Sequence, residues 1–252
     1  MWSNTRMVVL TAICAALYAA ILIPFKVVPL IPGITEFRPA NAIPVVCSFL
    51  FGPAAAWGSA LGNLIGDFFG GLGPGDLFGF LANLLYGLVP YAVWEAVTDA
   101  PPVPEGPLAS LGLLLVMGVA AMLCATVVGW GLHLLGFHPF TVLGTVVLMN
   151  NLVVAVVLAP FLLAVLYPRV RRARLLYRDL LGPRRPLPRW RAALGATLVL
   201  VGTCTAFAAG ELIAGGRWVA PWAAYETASR RLEVGLGLLP LLGLAIVGLA
   251  LL

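Results

Sequence analysis

The chain has 252 residues, of which 62% are hydrophobic and 10% charged, with a net charge of +5. Soluble domains carry about a quarter charged residues, so an aqueous globular fold is excluded. The apolar runs are long and do not alternate, which fits membrane helices of roughly 20 residues and not the strands of a barrel. The positive charge does not point to nucleic acid. Nine of the fifteen basic residues lie between Arg169 and Arg191, the distribution of a cytoplasmic loop with anionic lipid headgroups as neighbours.

Eight apolar segments follow one another. The first, residues 7–30, is interrupted by Pro24, Lys26 and Pro29, so its far end is expected to be irregular. Arg6 and the small residues at 15–20 have the outline of a signal peptide, but the apolar run continues to Ile31 and is read as a retained helix on length. A polar stretch, residues 33–39, leads to segments 41–51 and 53–69, which are divided by Gly52-Pro53. The shorter of the two covers only about 16 Å at 1.5 Å per residue and crosses only as one arm of a hairpin. Segment 77–97 ends in a proline-rich loop, 98–107, and is followed by 108–135, 141–166, 192–213 and 234–252. Counting 41–51 as a crossing puts Arg6 and the arginine cluster on one side, the cytoplasmic one. The loops 33–39, 71–76 and 136–140 then face outside. The expected fold is all-α, a polytopic helix bundle: a six-helix core (1–168), an arginine-rich cytoplasmic linker (169–191) and a further transmembrane hairpin (192–252).

The third segment carries Gly58, Gly62, Gly66 and Gly70 at four-residue spacing, a smooth stripe that lets another backbone approach closely. Beside it Asn63 and Asp67 share one face. A carboxylate in a membrane helix is costly and usually faces a cavity or a partner; lying near the outer end, Asp67 also fits a solvated interfacial position. At the same depth lie Asn83 and Tyr86 of the fourth segment, Trp130 and His133 of the fifth, and Asn150 and Asn151 of the sixth. Asn41 opens the second segment directly after Glu36 and Arg38. Each asparagine alone fits an interhelical hydrogen bond equally well. Their convergence from several helices points to a small-molecule pocket open to the outside. In the first segment Ala12, Ala16 and Ala20, with Ala15 and Ala19 adjoining, mark a close helix contact, either within the chain or with a partner subunit.

Cys14, Cys47, Cys124 and Cys204 lie in apolar runs without ligand spacing and are read as free thiols. His133 and His138 are five apart across a loop, a poor metal pair, and Glu95 is placed to snorkel to the cytoplasm. Nucleotide-binding loops, nucleophile elbows and paired catalytic acids are missing. The chain is therefore expected to be no enzyme and to hold no cofactor or metal; as a transporter it would take its energy from an ion gradient or from separate ATPases.

The stretches Phe37-Arg-Pro-Ala-Asn-Ala-Ile-Pro44, Leu50-Phe-Gly-Pro-Ala-Ala55, Ala60-Leu-Gly-Asn-Leu-Ile-Gly-Asp67 and Gly79-Phe-Leu-Ala-Asn-Leu-Leu-Tyr-Gly87, with Pro90-Tyr91, resemble the S components of energy-coupling factor transporters, closest to the riboflavin-type and queuosine-precursor-type group. The resemblance spans about the first 168 residues. It implies a six-helix subunit of the bacterial or archaeal cell membrane with a cytoplasmic N-terminus. Such a subunit binds a vitamin or related micronutrient on its outer side and works with a membrane-embedded T component and two ATPase subunits. It further implies that Ala12, Ala16 and Ala20 match the family's docking motif for the T component, and that the loop 33–38 gates the pocket. Two features depart from the family: the added hairpin, whose outer loop contains Trp218, Trp222 and Tyr225, and Trp2 in place of the N-terminal histidine of nickel and cobalt members. Trp130 and Tyr86 suit a flat ring, and Glu36 and Arg38 a charged or zwitterionic group. Rival readings are a structural membrane scaffold, which needs no outer pocket, and a self-sufficient secondary transporter, which would show internally repeated broken helices.

Overall fold

The computed structural model describes residues 1–31, 35–182, 187–224 and 229–252, and for 29–31 and 35–36 the backbone alone. Gly33, Ile34 and Tyr225 therefore lie outside the described residues, as does the side chain of Glu36. Helix α1 (Thr5–Phe25) starts where Asn4 caps it, its carboxamide oxygen accepting from the Arg6 and Met7 amides at 3.0 and 3.4 Å. It stops one residue after Pro24, and the chain enters a short antiparallel ladder of β1 (Pro29–Ile31) and β2 (Thr35–Glu36). The expected irregular end of the first segment is this ladder, the one departure from an all-helical bundle among the described residues.

A single 3-10 turn (Pro39–Asn41) opens α2 (Ala42–Phe51). At Gly52, with φ 53°, the chain reverses into α3 (Pro53–Phe68), whose first-turn proline lacks only an amide that a helix start leaves unused. Then come α4 (Asp76–Val97), α5 (Pro107–Leu135), α6 (Phe140–Arg172), the short α7 (Tyr177–Leu181), α8 (Arg189–Ala214) and α9 (Arg230–Leu251). The stretch 169–191, read from sequence as a linker, is in large part helical. Arginine is a good helix former and its charge suits a helix C-terminus, so α6 continues through Arg169, Arg171 and Arg172 before it ends.

Six of the helices are long and apolar enough to cross a membrane: α1, α4, α5, α6, α8 and α9. α2 and α3 are shorter. Nearly every residue of α2 is buried, so protein surrounds it and its length need not match the bilayer. Its direction settles the parity argument. Tyr177, just past the arginines, packs its ring on Gly52, where an added Cβ would lie 2.8 Å from the ring. Asn4 Nδ2 donates to the Leu180 carbonyl at 2.9 Å, and Arg178 Nε to Glu95 Oε1 at 3.0 Å. The start of α1, the α2–α3 turn and the end of α4 thus share one end of the bundle with the end of α6. α2 and α3 form a hairpin, and Arg6 lies on the arginine-bearing side.

The glycine stripe of α3 faces α1 at backbone distance. A Cβ at Gly58 would sit 2.8 Å from the Thr11 carbonyl oxygen, and one at Gly62 2.8 Å from that of Ala15. Ser48 repairs a different defect. Pro90 interrupts α4, and the Ser48 hydroxyl enters the break, accepting from the Tyr91 amide at 3.1 Å and donating to the Gly87 carbonyl at 2.6 Å. The added hairpin packs equally tightly: a Cβ at Gly202 would meet the Ala245 amide nitrogen at 2.6 Å, and one at Gly248 the Val199 nitrogen at 2.7 Å. Its inner face, with Ala206, Ile213, Val234, Leu238 and Ala245, joins the same apolar core as Met117, Leu123 and Leu163. The hairpin is a part of the bundle seated on α5, not a separate body beside it.

Candidate functional site

At the end of the bundle opposite the arginines, four helices bring amide and phenol groups together. The residue at the centre is Tyr18 of α1, which the sequence reading did not single out. It is fully buried, and its hydroxyl lies 2.9 Å from Asn41 Oδ1 and 3.0 Å from Asn83 Oδ1. Asn41 Nδ2 donates to Asn151 Oδ1, and Asn83 Nδ2 donates to the Gly79 carbonyl at 2.9 Å. Tyr86 closes the ring with a long bond, 3.4 Å, to the Asn151 carbonyl. Asn41, Asn83, Asn150 and Asn151 are all buried.

Asn63 and Asp67 stand one turn away, joined by a bond from Asn63 Nδ2 to Asp67 Oδ2. They border the Asn83 turn, since a Cβ at Gly79 would lie 3.1 Å from Asn63 Nδ2 and 3.6 Å from Asp67 Oδ2. Lys26, at the end of α1, pairs with Asp67 Oδ1 at 3.2 Å, and Arg38 supplies a second positive charge acting on the same carboxylate. The pair tethers the C-terminal ends of α1 and α3.

A hydroxyl has one proton, and Tyr18 lies against the amides of both Asn41 and Asn83. With the Asn41 and Asn151 amides turned over together the ring balances: Asn151 donates to Asn41, Asn41 to the Tyr18 oxygen, and Tyr18 to Asn83. Asn63 Oδ1, by contrast, is buried without a partner among the described residues. The site is therefore short of a donor at Asn63, a state that costs about 1–3 kcal/mol. A ligand presenting N–H groups would supply what is missing.

Two of the residues expected here lie elsewhere. Trp130 Nε1 donates to the Gly235 carbonyl of α9 at 3.0 Å, and its ring meets Phe78 edge-on at 5.6 Å. His133 Nδ1 accepts from the Phe140 amide at 3.1 Å and fixes the α5–α6 turn. Depth along a helix was readable from sequence, but which side of α5 faces the asparagines was not, and these two side chains serve the hairpin and the turn. Asn150 is buried on α6 beside Asn151.

On α1 the small residues divide into two faces. Ala15 and Ala19 are buried, while Ala12, Ala16 and Ala20 are exposed on the bundle surface, flanked by exposed Val8, Val9, Ile13 and Leu17. The hairpin α8–α9, seated on α5, leaves this stripe uncovered.

No curated protein and no solved structure matches the chain. The family model described as QueT transporter matches residues 8–168, which run from the first turns of α1 to Pro168 in α6 and include every residue of the cluster. The chain belongs to the QueT transporter family, a family of energy-coupling factor S components.

Proposed function

We propose that the chain captures a queuosine precursor, a deazaguanine base, in the Asn41–Asn83–Asn151 cluster and delivers it for ATP-driven import. The observation that carries this reading is the unpaired, buried Asn63 Oδ1 beside the buried amides around Tyr18. A deazaguanine offers ring N–H and exocyclic amino donors on one edge, which suits buried amide oxygens. In this reading the flat ring would lie beside Tyr86, and the adjoining Lys26–Asp67 pair would receive a polar substituent. Arg38, in the stretch that precedes α2, would stand on the approach to the cluster.

In the same reading the exposed Ala12, Ala16 and Ala20 stripe docks on a membrane-embedded T component driven by two ATPase subunits. The arginine-bearing end faces the cytoplasm of the cell, with the N-terminus, and the asparagine cluster faces outside. Tyr18 would then link capture to docking, because one helix carries the central hydroxyl on its buried face and the alanine stripe on the other. The test is native mass spectrometry of protein purified in detergent from cells grown in rich medium. A bound base, lost on Asn83→Ala or Asn151→Ala, supports the reading. No ligand from rich medium, and none after addition of deazaguanine bases, would overturn it in favour of a scaffold role.

A further inference from the structure

The end of α6 carries charges that substrate capture does not use. Arg171, Arg172 and Arg174 line a cleft of about 570 Å³, closed on its other side by Val103 and Glu105 of the α4–α5 loop and floored by Tyr167. All three arginines are exposed, and among the described residues none is in ion-pair contact with a carboxylate. Arg174 has φ 53°, a left-handed backbone that a bulky residue rarely adopts. It ends α6 in a tight turn, with the Leu175 amide donating to the Val170 carbonyl at 3.1 Å. That turn brings Arg174 back beside the other two.

From this cleft toward the membrane centre, α6 exposes Val157, Phe161 and Val165 at four-residue spacing, and the start of the adjoining α5 exposes Leu108, Leu111 and Leu115. A basic face that only meets water would need no cleft. The stripe on this membrane-crossing helix faces lipid, so it sets acyl chains beside the cleft, whereas an acidic protein segment would match the charge alone. We propose that the cleft binds the headgroup of an anionic phospholipid, its phosphate held by Arg171, Arg172 and Arg174 and its acyl chains lying along the α6 stripe. Guanidinium groups match phosphate oxygens bidentately, and a basic pocket between helices at the cytoplasmic leaflet is the arrangement anionic lipids select.

The full-length protein in mild detergent would be titrated with phosphatidylglycerol or phosphatidylcholine of the same acyl chains and followed by native mass spectrometry. Phosphatidylglycerol is expected to be retained in preference. Replacing Arg171, Arg172 and Arg174 with Gln should weaken its binding roughly a hundredfold at low salt and leave phosphatidylcholine unchanged. Arg189→Gln, in the same basic stretch but outside the cleft, should have no effect. If the triple variant is not monodisperse, Arg172→Gln alone should still weaken binding about fivefold. Equal retention of the two lipids would overturn the proposal, as would unchanged phosphatidylglycerol binding in the variants. So would displacement of the lipid by equimolar inorganic phosphate, or loss of co-purifying membrane proteins with the lipid preference intact, which would make this a protein-docking surface.

Discussion

Replacing Tyr18 with Phe removes one oxygen from the centre of the cluster and leaves the ring's packing in place. Asn41 Oδ1 and Asn83 Oδ1, 2.9 and 3.0 Å from that hydroxyl, then share no donor at all, and both residues are buried. A newly unsatisfied buried acceptor costs about 1–3 kcal/mol, which is about five- to a hundredfold in any equilibrium that depends on the cluster's geometry. The companion change Tyr86→Phe is the control. Its hydroxyl makes one bond of 3.4 Å to the Asn151 carbonyl, near the limit of useful geometry, and its loss should cost no more than the roughly 0.6 kcal/mol typical of hydrogen bonds between membrane helices. Binding of a deazaguanine base would be measured by titration calorimetry on both variants in one detergent, with thermal unfolding recorded in parallel. Tyr18→Phe should be clearly the weaker binder and the less stable protein. If it equals Tyr86→Phe in both respects, the hydroxyl is not the node of the site and the donor argument fails.

Further outcomes follow from the packing. Gly62→Ala places a Cβ 2.8 Å from the Ala15 carbonyl oxygen and 2.9 Å from Tyr18 Cβ, so α1 must move away; a loss of about 1–3 kcal/mol is expected, whereas Gly73→Ala, with nothing within 4 Å, should leave the melting temperature unchanged. Asp67→Asn breaks the pair with Lys26, two side chains only 13% and 15% exposed, and should cost about 3 kcal/mol, the low end for a buried pair; the double exchange Lys26→Asp with Asp67→Lys should recover part of it in a thermal-stability cycle. Ala16→Leu, on the exposed face of α1, should leave base binding intact and abolish co-purification with a T component. Equal loss of both would place Ala16 in the substrate site.

Helix limits were legible because the chain punctuates them. Gly52-Pro53 falls at the α2–α3 turn, and Gly136, with φ 79°, ends α5. The glycine stripe also announced its close contact, since the absence of Cβ atoms at four-residue spacing means the same in any bundle. Asparagines were visible as outliers in apolar runs, and Asn41, Asn83 and Asn151 do meet. Tyr18 was not visible: an aromatic in an apolar helix looks like core until its neighbours on α2 and α4 are placed. Trp130 and His133 were drawn into the site because α5 is apolar nearly all round, and such a helix does not declare which face looks inward. The seat of the hairpin was equally hidden. The sequence shows two apolar segments, whereas only the assembled bundle shows Trp130 bonded to Gly235 and Phe140 packed beneath Gly210. At five residues, α7 is too short for any periodic pattern to reveal.

The central claim is that this cluster recognises a base through the donor that Asn63 lacks. The most direct measurement compares the affinity of the purified protein for a deazaguanine and for the matching deazahypoxanthine, which lacks only the exocyclic amino group. A site whose buried Asn63 oxygen is left unpaired by the poorer ligand should bind it at least about tenfold more weakly. Equal affinities would show that the asparagines hold one another and not the substrate.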